Sequence, residues 1–240
     1  MVAVRLSDVA PDGKATRVTY GLLNLTHRDS NEHPKPLQPD RRYTVGVRLN
    51  GIAQSFPAGH RLRLSVSTSY WPLAWPPPEP VTLSVMTGSS TLILPVRKPR
   101  PEDKQLSEFG EPEGAPPLDI QLLEPGEHNW RLIRDLAKDE STLEVVNDQG
   151  AFRIQETDTE IRRSTYEWYT FRGGDFTSPR GETYTERSFR RGDWSIEVIT
   201  RTVLTCTTQD FHIHAQLDAY EQDRRVYSEN WERTIPRDYL

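Results

Sequence analysis

The sequence of 240 residues contains a single cysteine, Cys206. One cysteine excludes an internal disulfide and a zinc cluster built from several thiolates. No apolar run approaches the roughly 18 residues that a membrane-spanning helix needs. The N-terminal residues lack the charged segment and apolar stretch of a signal peptide. The composition therefore predicts a soluble, cytoplasmic protein that makes no membrane contact.

The sequence also lacks a surplus of positive charge, since 30 Lys and Arg face 35 Asp and Glu and the formal net charge is −5. Charges of both signs are mixed along the chain, so no basic stripe indicates a nucleic-acid partner. Hydrophobic residues make up only 35%. Nine tyrosines, seven phenylalanines and six tryptophans nevertheless supply enough aromatic bulk for a core, and they favour strands.

No Gly-x-Ser-x-Gly pentapeptide occurs in the chain. An α/β-hydrolase carries its nucleophilic serine on that sharp turn between a strand and a helix. No alternation of strand and helix patterns is present that could hold such a turn. The segment Gly88-Ser89-Ser90 is interpreted as a hairpin tip. We therefore predict that the chain contains no catalytic residue and needs no cofactor.

Apolar and polar residues alternate with a period of two in many short segments, which is the signature of half-buried strands. The strand candidates include Val2–Leu6, Tyr43–Leu49, Leu62–Val66, Val81–Val85, Leu92–Val96, Trp194–Cys206, Phe211–Ala219 and Tyr227–Ile235. Strands at this spacing predict an all-β protein with a sandwich or jelly roll followed by an antiparallel meander. We predict three parts: a partial jelly roll over residues 1–98, a Pro-rich linker or strap over 99–127, and an antiparallel β region over 128–240.

Three motifs carry a family resemblance. They are Arg5–Gly13 (RLSDVAPDG), Gly21–Asp29 (GLLNLTHRD) and Pro57–Ser69 (PAGHRLRLSVSTS). Together they resemble the C-terminal β-domain of the CocE/NonD hydrolases, which include X-Pro dipeptidyl-peptidases and enzymes of the cocaine-esterase type. Residues 128–240 resemble the additional β region of some long members. The resemblance implies a partial galactose-binding-like jelly roll that begins inside a domain.

The same resemblance implies a role. In that family a separate α/β-hydrolase domain carries the Ser-Asp-His machinery for ester, amide or X-Pro dipeptide hydrolysis, and this chain lacks that domain. The chain is therefore expected to be a non-catalytic C-terminal portion that shapes substrate access or assembly and is inactive alone. Its expected partner is an α/β-hydrolase domain, in cis or as a separate chain. The exposed edges of an incomplete jelly roll also favour a homo-oligomer.

The aromatic-proline loop Tyr70–Pro80 is the strongest candidate for an interface or a ligand contact. Tyr70, Trp71 and Trp75 place large rings on a segment stiffened by prolines. Rigid aromatic side chains anchor interfaces because they lose little entropy on contact. The loop could instead fold back on its own sheet, or serve a carbohydrate- or peptide-binding module by stacking on a ligand.

A third interpretation is a metal-dependent hydrolase that uses His212 and His214. These residues are two apart on one predicted strand, so both imidazoles lie on the same face. A third ligand would complete a zinc or iron site, and His128 is the candidate. The alternative is a solvated strand face that carries polar residues. Cys206 falls on the apolar face of its own strand and is expected to be a small buried hydrophobe.

Overall fold

A computed structural model describes residues 1–239 of the chain. Strands contain 49% of the residues and short 3-10 turns 5%, which confirms the all-β prediction. The 3-10 turns cover Leu25–His27, Thr87–Ser89 and Pro101–Gln105. Within residues 1–239, no helix has the length and apolar character that a membrane span requires.

The first sheet is small and antiparallel. Its strands are β1 (Val2–Val9), β2 (Ala15–Leu23) and β3 (Arg61–Ser67), in the order β2-β1-β3. The β1–β2 connection turns at Pro11-Asp12-Gly13, where Gly13 has φ +89°, a conformation that glycine adopts without steric cost. The central position of β1 buries Val2, Ala3, Leu6 and Val9.

The three family-like motifs become neighbours in this sheet. Arg5 of the first motif lies opposite Ser65 of the third, and Gly21, where the second motif begins, lies opposite Val4, the residue before the first motif. At the end of the sheet, His60 Nδ1 lies 2.8 Å from an Asp8 carboxylate oxygen. This contact joins the first motif to the third, beside the turn that leads into β3.

The outer edge of β2 is covered by the extended segment around residues 48–50. Asn50 N donates to Tyr20 O at 3.0 Å, and Thr19 Oγ1 donates to Asn50 O at 2.9 Å. Gly21 faces this segment so closely that a Cβ atom there would lie 2.2 Å from the Arg48 carbonyl oxygen. The strand edge therefore depends on a residue without a side chain at position 21.

Gly21→Ala is expected to lower the free energy of unfolding by about 2 kcal/mol, because the backbone of residues 48–50 must move away and lose its hydrogen bonds to β2. Urea unfolding followed by far-UV circular dichroism measures the change. Gly46→Ala is the matched control, because a Cβ atom at Gly46 would meet nothing within 4 Å. Equal stabilities for the two variants would contradict the account of this edge.

The second sheet is an antiparallel meander whose strands follow each other in space as they do along the chain. Its order is β11-β10-β9-β8-β7-β6-β4, and β5 also pairs with β6. Its strands are β4 (Ile120–Glu124), β5 (Glu127–Asp135), β6 (Glu140–Ile154), β7 (Thr159–Arg172), β8 (Arg180–Arg191), β9 (Trp194–Cys206), β10 (Asp210–Glu221) and β11 (Arg224–Pro236). The predicted antiparallel meander is thus confirmed.

Strands β4 and β5 lie end to end along the same edge of β6. Ile120 pairs with Ile154 and Glu127 pairs with Asp148, so the two strands continue one another. The break between them is Pro125-Gly126, opposite the positive-φ residue Gly150. Strand β4 and the first residue of β5 fall inside the stretch predicted as a linker, and the predicted domain boundaries stay predictions.

The two faces of the meander differ in polarity. Phe211, Ile213 and Leu217 share one face with Leu204 and Cys206 of β9, because directly opposed residues on neighbouring strands point to the same side. This apolar face alternates with a polar face that carries His212, His214, Gln216 and Asp218. The period-two pattern of β10 therefore sorts its side chains as the sequence predicts.

Three predicted strands do not form. Residues 43–49, 81–85 and 92–96 belong to neither sheet, and Val81, Val85 and Val96 are exposed. Alternation produces a strand only where a neighbouring strand accepts its hydrogen bonds and a second layer covers its apolar side. Within residues 1–239, residues 81–85 and 92–96 have neither, and residues 43–49 approach the edge of β2 beside Asn50 without joining its sheet. Those three strand assignments were therefore wrong. The jelly-roll arrangement itself stays a prediction.

The chain exposes much more surface than its mass requires. Its accessible surface is 17,688 Å², whereas a compact monomer of this mass exposes about 11,000 Å². Much of the surplus is apolar, and it includes Leu62 and Leu64 of β3 at 49% and 45% exposure. A strand that alternates correctly and still leaves its apolar side in water offers a surface to a further layer.

Candidate functional site: the aromatic-proline loop

Tyr70 begins the loop and packs on the small sheet. Its ring meets the Tyr20 ring edge to face at a centroid distance of 5.5 Å. The Arg5 guanidinium lies 5.0 Å from the Tyr70 ring centroid, and Arg17 donates a hydrogen bond to the Tyr70 hydroxyl. The two arginines and Tyr20 hold Tyr70 through cation–π and edge contacts that favour one ring orientation.

Trp71 and Trp75 pack on the apolar face of the second sheet instead. The two rings meet each other edge to face at 4.8 Å. Trp71 also contacts Tyr169 of β7 at 6.1 Å, and Trp75 contacts Phe211 of β10 at 5.4 Å. The Trp75 indole N–H donates to the Cys206 thiol at 3.2 Å. Cys206 is buried, as its place on the apolar face of its strand predicts.

Arg237 closes the loop from the C-terminal end of the chain. Its side chain is 4% exposed and donates to the carbonyl oxygens of Pro76 and Thr207, each at 2.7 Å. The guanidinium also lies 4.8 Å from the Phe211 ring centroid. Burial lowers the pKa of Arg237 below its ordinary value. The cation is therefore held by two carbonyl dipoles and a ring face, which together partly replace its lost hydration.

Through these contacts the loop connects the two sheets. Tyr70 contacts β1 and β2, while Trp71 and Trp75 contact β7, β9 and β10. The three candidate residues are thus brought together, but their rings are engaged with both sheets. The Trp71 and Trp75 planes cross at 86°. A flat platform for stacking on a sugar ring needs coplanar rings, so this arrangement adds no support to the carbohydrate alternative.

Tyr169 of β7 packs against Trp71 of the loop, and the pKa of its hydroxyl is strongly raised. Burial, followed by a hydrogen bond at 2.7 Å to Glu167 Oε2 and the charge of that carboxylate, raises the pKa of Tyr169 from 10.0 to about 12. The neutral hydroxyl donates to the carboxylate, and an ionised oxygen would face it with like charge. The phenol is therefore kept protonated in the folded state.

The raised pKa of Tyr169 predicts a loss of stability in alkali. Because the unfolded phenol ionises near its ordinary pKa and the folded one only near 12, this stabilisation is complete below about pH 10 and is lost between about pH 10 and pH 12. Tyr169→Phe should lose less stability than wild type between about pH 9 and pH 11.5 in urea titrations. Tyr227→Phe, at an exposed tyrosine, is the matched control and should behave as wild type. Parallel losses in wild type and Tyr169→Phe would refute the assignment.

His212 and His214 lie on the polar face near the outer edge of the second sheet. His212 Nδ1 is 3.3 Å from Thr234 Oγ1, and His214 Nδ1 is 3.3 Å from Glu232 Oε1. His128 lies on β5, on the opposite face and with four strands between it and β10. In the part of the chain that the structure describes, no group of three His, Cys, Asp or Glu side chains has metal-binding geometry. The proposed third ligand is therefore not brought to the pair.

Comparison with known proteins identifies the first region. The family described as the X-Pro dipeptidyl-peptidase C-terminal non-catalytic domain matches residues 1–107. Residues 1–107 are a C-terminal domain of the CocE/NonD hydrolase type. This CocE/NonD-type domain contains β1, β2, β3 and the whole aromatic-proline loop. The family resemblance seen in the sequence motifs is thereby confirmed.

A curated relative gives a second, shorter match. The cocaine esterase of Rhodococcus sp. (strain MB1 Bresler) is 29% identical over 68 residues, which is 28% of this chain and 12% of the esterase. The chain therefore spans only a small part of that relative's length. No solved structure matches the chain.

Sequence reasoning missed two residues of this site. Arg237 is separated from Pro76 by 161 positions, and nothing in a C-terminal Arg-Asp pair indicates that the arginine will be buried. Tyr169 belongs to a long strand in which tyrosine is common on either face. The sequence did indicate that β11 ends at Pro236. It therefore placed Arg237 just outside the strand, but it did not show which residues the arginine contacts.

Proposed function

We propose that this chain is the non-catalytic C-terminal portion of a CocE/NonD-type serine hydrolase, and that it shapes substrate access or assembly for an α/β-hydrolase partner. The match of residues 1–107 to a domain described as non-catalytic carries the proposal. The absence of a Gly-x-Ser-x-Gly turn from the sequence agrees with it. Hydrolysis of esters, amides or X-Pro dipeptides would then belong to the partner.

The exposed apolar side of β3 is the surface best suited to that partner. Leu62, Leu64 and Val66 alternate along β3 and are 49%, 45% and 38% exposed. Because these side chains are already more than half buried, covering what remains would contribute on the order of 1 kcal/mol each. The aromatic-proline loop starts three residues after β3 and fastens the small sheet to the meander, so both sheets would be presented to the hydrolase as one unit.

The first test is activity of the isolated chain. We expect no turnover of p-nitrophenyl acetate or Ala-Pro-p-nitroanilide above buffer, and no labelling by a fluorophosphonate that reacts with activated serines. Stoichiometric labelling of the pure chain would overturn the proposal, because it would reveal an activated hydroxyl within this sequence. Metal analysis of the same sample, with His212→Ala as control, tests the metal-dependent alternative.

The second test is association with the hydrolase domain. The chain is co-expressed with the α/β-hydrolase polypeptide encoded in frame with it or beside it, and the complex is isolated through a tag on the hydrolase. Leu64→Arg should abolish the complex, because it places a charge in the buried surface. Leu136→Arg, at a residue that is 85% exposed in a turn of the meander, should leave it intact. Equal recovery with both variants would show that β3 is not the interface.

A further inference from the structure

Strand β11 is an open edge of the second sheet. It spans Arg224–Pro236, pairs with β10 on one side, and has no neighbour on its other side within residues 1–239. The opposite edge of the same sheet is interrupted by Pro125-Gly126 between β4 and β5. β11 carries no lysine and no proline before its last residue, and residues 227–236 pair with β10 in an unbroken register, beyond the irregularity at Val226. The device against edge-to-edge pairing that remains in this stretch is charge, at Glu229, Glu232 and Arg233.

The side chains of β11 on the apolar face form a symmetric pattern. Glu229, Trp231 and Arg233 lie opposite Leu217, Ala215 and Ile213 of β10. Glu229 and Arg233 therefore flank Trp231 at equal distances and on the same face. Within residues 1–239 neither of them forms an ion pair, although eighteen pairs involve other residues. The Arg233 guanidinium bonds only to the adjacent Glu232 carbonyl oxygen, at 2.8 Å.

We propose that β11 pairs antiparallel with β11 of a second copy of this chain, with the two-fold axis at Trp231. In this register Glu229 of each copy lies directly opposite Arg233 of the other, so two ion pairs flank a central pair of tryptophans. Tyr227 then faces Ile235 of the second copy on the same side of the sheet. On the polar side the opposed pairs are Ser228 with Thr234 and Asn230 with Glu232, which can exchange hydrogen bonds.

The charges select this register over its neighbours. Two copies of one strand pair symmetrically about a single residue, and the choice of that residue decides every opposed pair. Centring on Glu229, Glu232 or Arg233 would place two like charges directly opposite each other, which is destabilising. Centring on Asn230 would leave Glu229 opposite Trp231 and Arg233 opposite Tyr227. Only centring on Trp231 satisfies both unpaired charges.

The exposed surface is ample for such a contact. The accessible surface of 17,688 Å² exceeds the value for a compact monomer of this mass by several thousand Å², whereas a stable interface buries about 1,600 Å² in total. The pairing would also extend the apolar face of the meander across the two-fold axis. Because β11 lies outside the CocE/NonD-type domain of residues 1–107, this proposal does not depend on the hydrolase partner.

Charge reversal tests the proposal on the full chain in analytical ultracentrifugation. We expect wild type to form a dimer that Glu229→Arg and Arg233→Glu each weaken about tenfold or more, since each change turns both ion pairs into like-charge contacts. The double variant E229R/R233E restores the opposed charges and should recover wild-type affinity within about threefold. Glu79→Arg, an equal charge change in an exposed loop, is the matched control and should leave the dimer unchanged.

Disulfide trapping tests the register with Trp231 intact. Ser228→Cys combined with Thr234→Cys should yield an oxidised dimer, because opposed strand positions bring Cβ atoms within disulfide range. Ser228→Cys alone should yield none, since residue 228 does not meet its own copy. Circular dichroism verifies that each variant is folded. Any of three results would overturn the proposal. The wild-type chain could stay monomeric up to about 1 mM, the dimer affinity could be unchanged by both charge reversals, or the single and double cysteine variants could be trapped equally.

Discussion

Trp75→Ala is expected to lower the free energy of unfolding by about 3 kcal/mol, the largest effect of any single substitution in the aromatic-proline loop. The Trp75 ring fills the space between Trp71 and Phe211, at 4.8 Å and 5.4 Å, and its N–H donates to Cys206. Alanine removes these contacts together and leaves a cavity between the loop and the meander. Urea unfolding followed by far-UV circular dichroism measures the loss.

Trp130→Ala is the matched control for this substitution. Trp130 lies on β5 with 77% of its side chain exposed, so the same chemical change should alter stability by only about 0.5 kcal/mol. Trp75→Phe should fall between the two, since it keeps an aromatic ring but removes the N–H donor. If Trp75→Ala is no more harmful than Trp130→Ala, the loop does not fasten the sheets together.

Arg237→Met should destabilise the protein by about 3 kcal/mol. Methionine preserves much of the apolar stem but leaves the carbonyl oxygens of Pro76 and Thr207 without their charged donor, and hydrogen bonds from charged groups contribute about 1.5–3 kcal/mol each. Arg237→Lys should recover only part of the loss, because a single ammonium does not present the planar fork that reaches both carbonyls. The same urea experiment measures both variants.

Arg191→Met provides the comparison for Arg237. Arg191 is exposed at the end of β8 and forms no ion pair or side-chain hydrogen bond within residues 1–239, so its loss should change stability by less than about 0.5 kcal/mol. A small effect of Arg237→Met would mean that water replaces the guanidinium at the two carbonyls. The C-terminal segment would then contribute little to holding the loop.

The pattern of the meander was accessible from the sequence because its strands supply their own neighbours. In β10, the alternation of Phe211, Ile213 and Leu217 with His212 and His214 predicted both a strand and its faces, and β9 and β11 lie next to it in sequence and in space. Short connections make such pairings local. The segments at residues 81–85 and 92–96 show equally good alternation but find no pairing partner among residues 1–239, so the same pattern produced no strand.

The sequence likewise predicted some features of the candidate site and not others. Tyr70, Trp71 and Trp75 stood out in the sequence because rings and prolines are concentrated in one loop, and the structure gathers all three in contacts with the two sheets. The histidine pair was visible as well, since residues two apart on a strand share a face. The place of His128, on the other face and with four strands between it and the pair, depended on the order of strands in the sheet.

The sequence alone determined the strand-forming character of the chain and the family of its first 107 residues, because these depend on local pattern and on short motifs. The tertiary structure decided that the loop joins two sheets, that Arg237 is buried against Pro76, and that β11 has a neighbour on one side only within residues 1–239. Those features depend on contacts between residues far apart in the chain. The alternation of apolar and polar side chains is a local property, and it is the same in a segment that finds a partner strand and in one that does not.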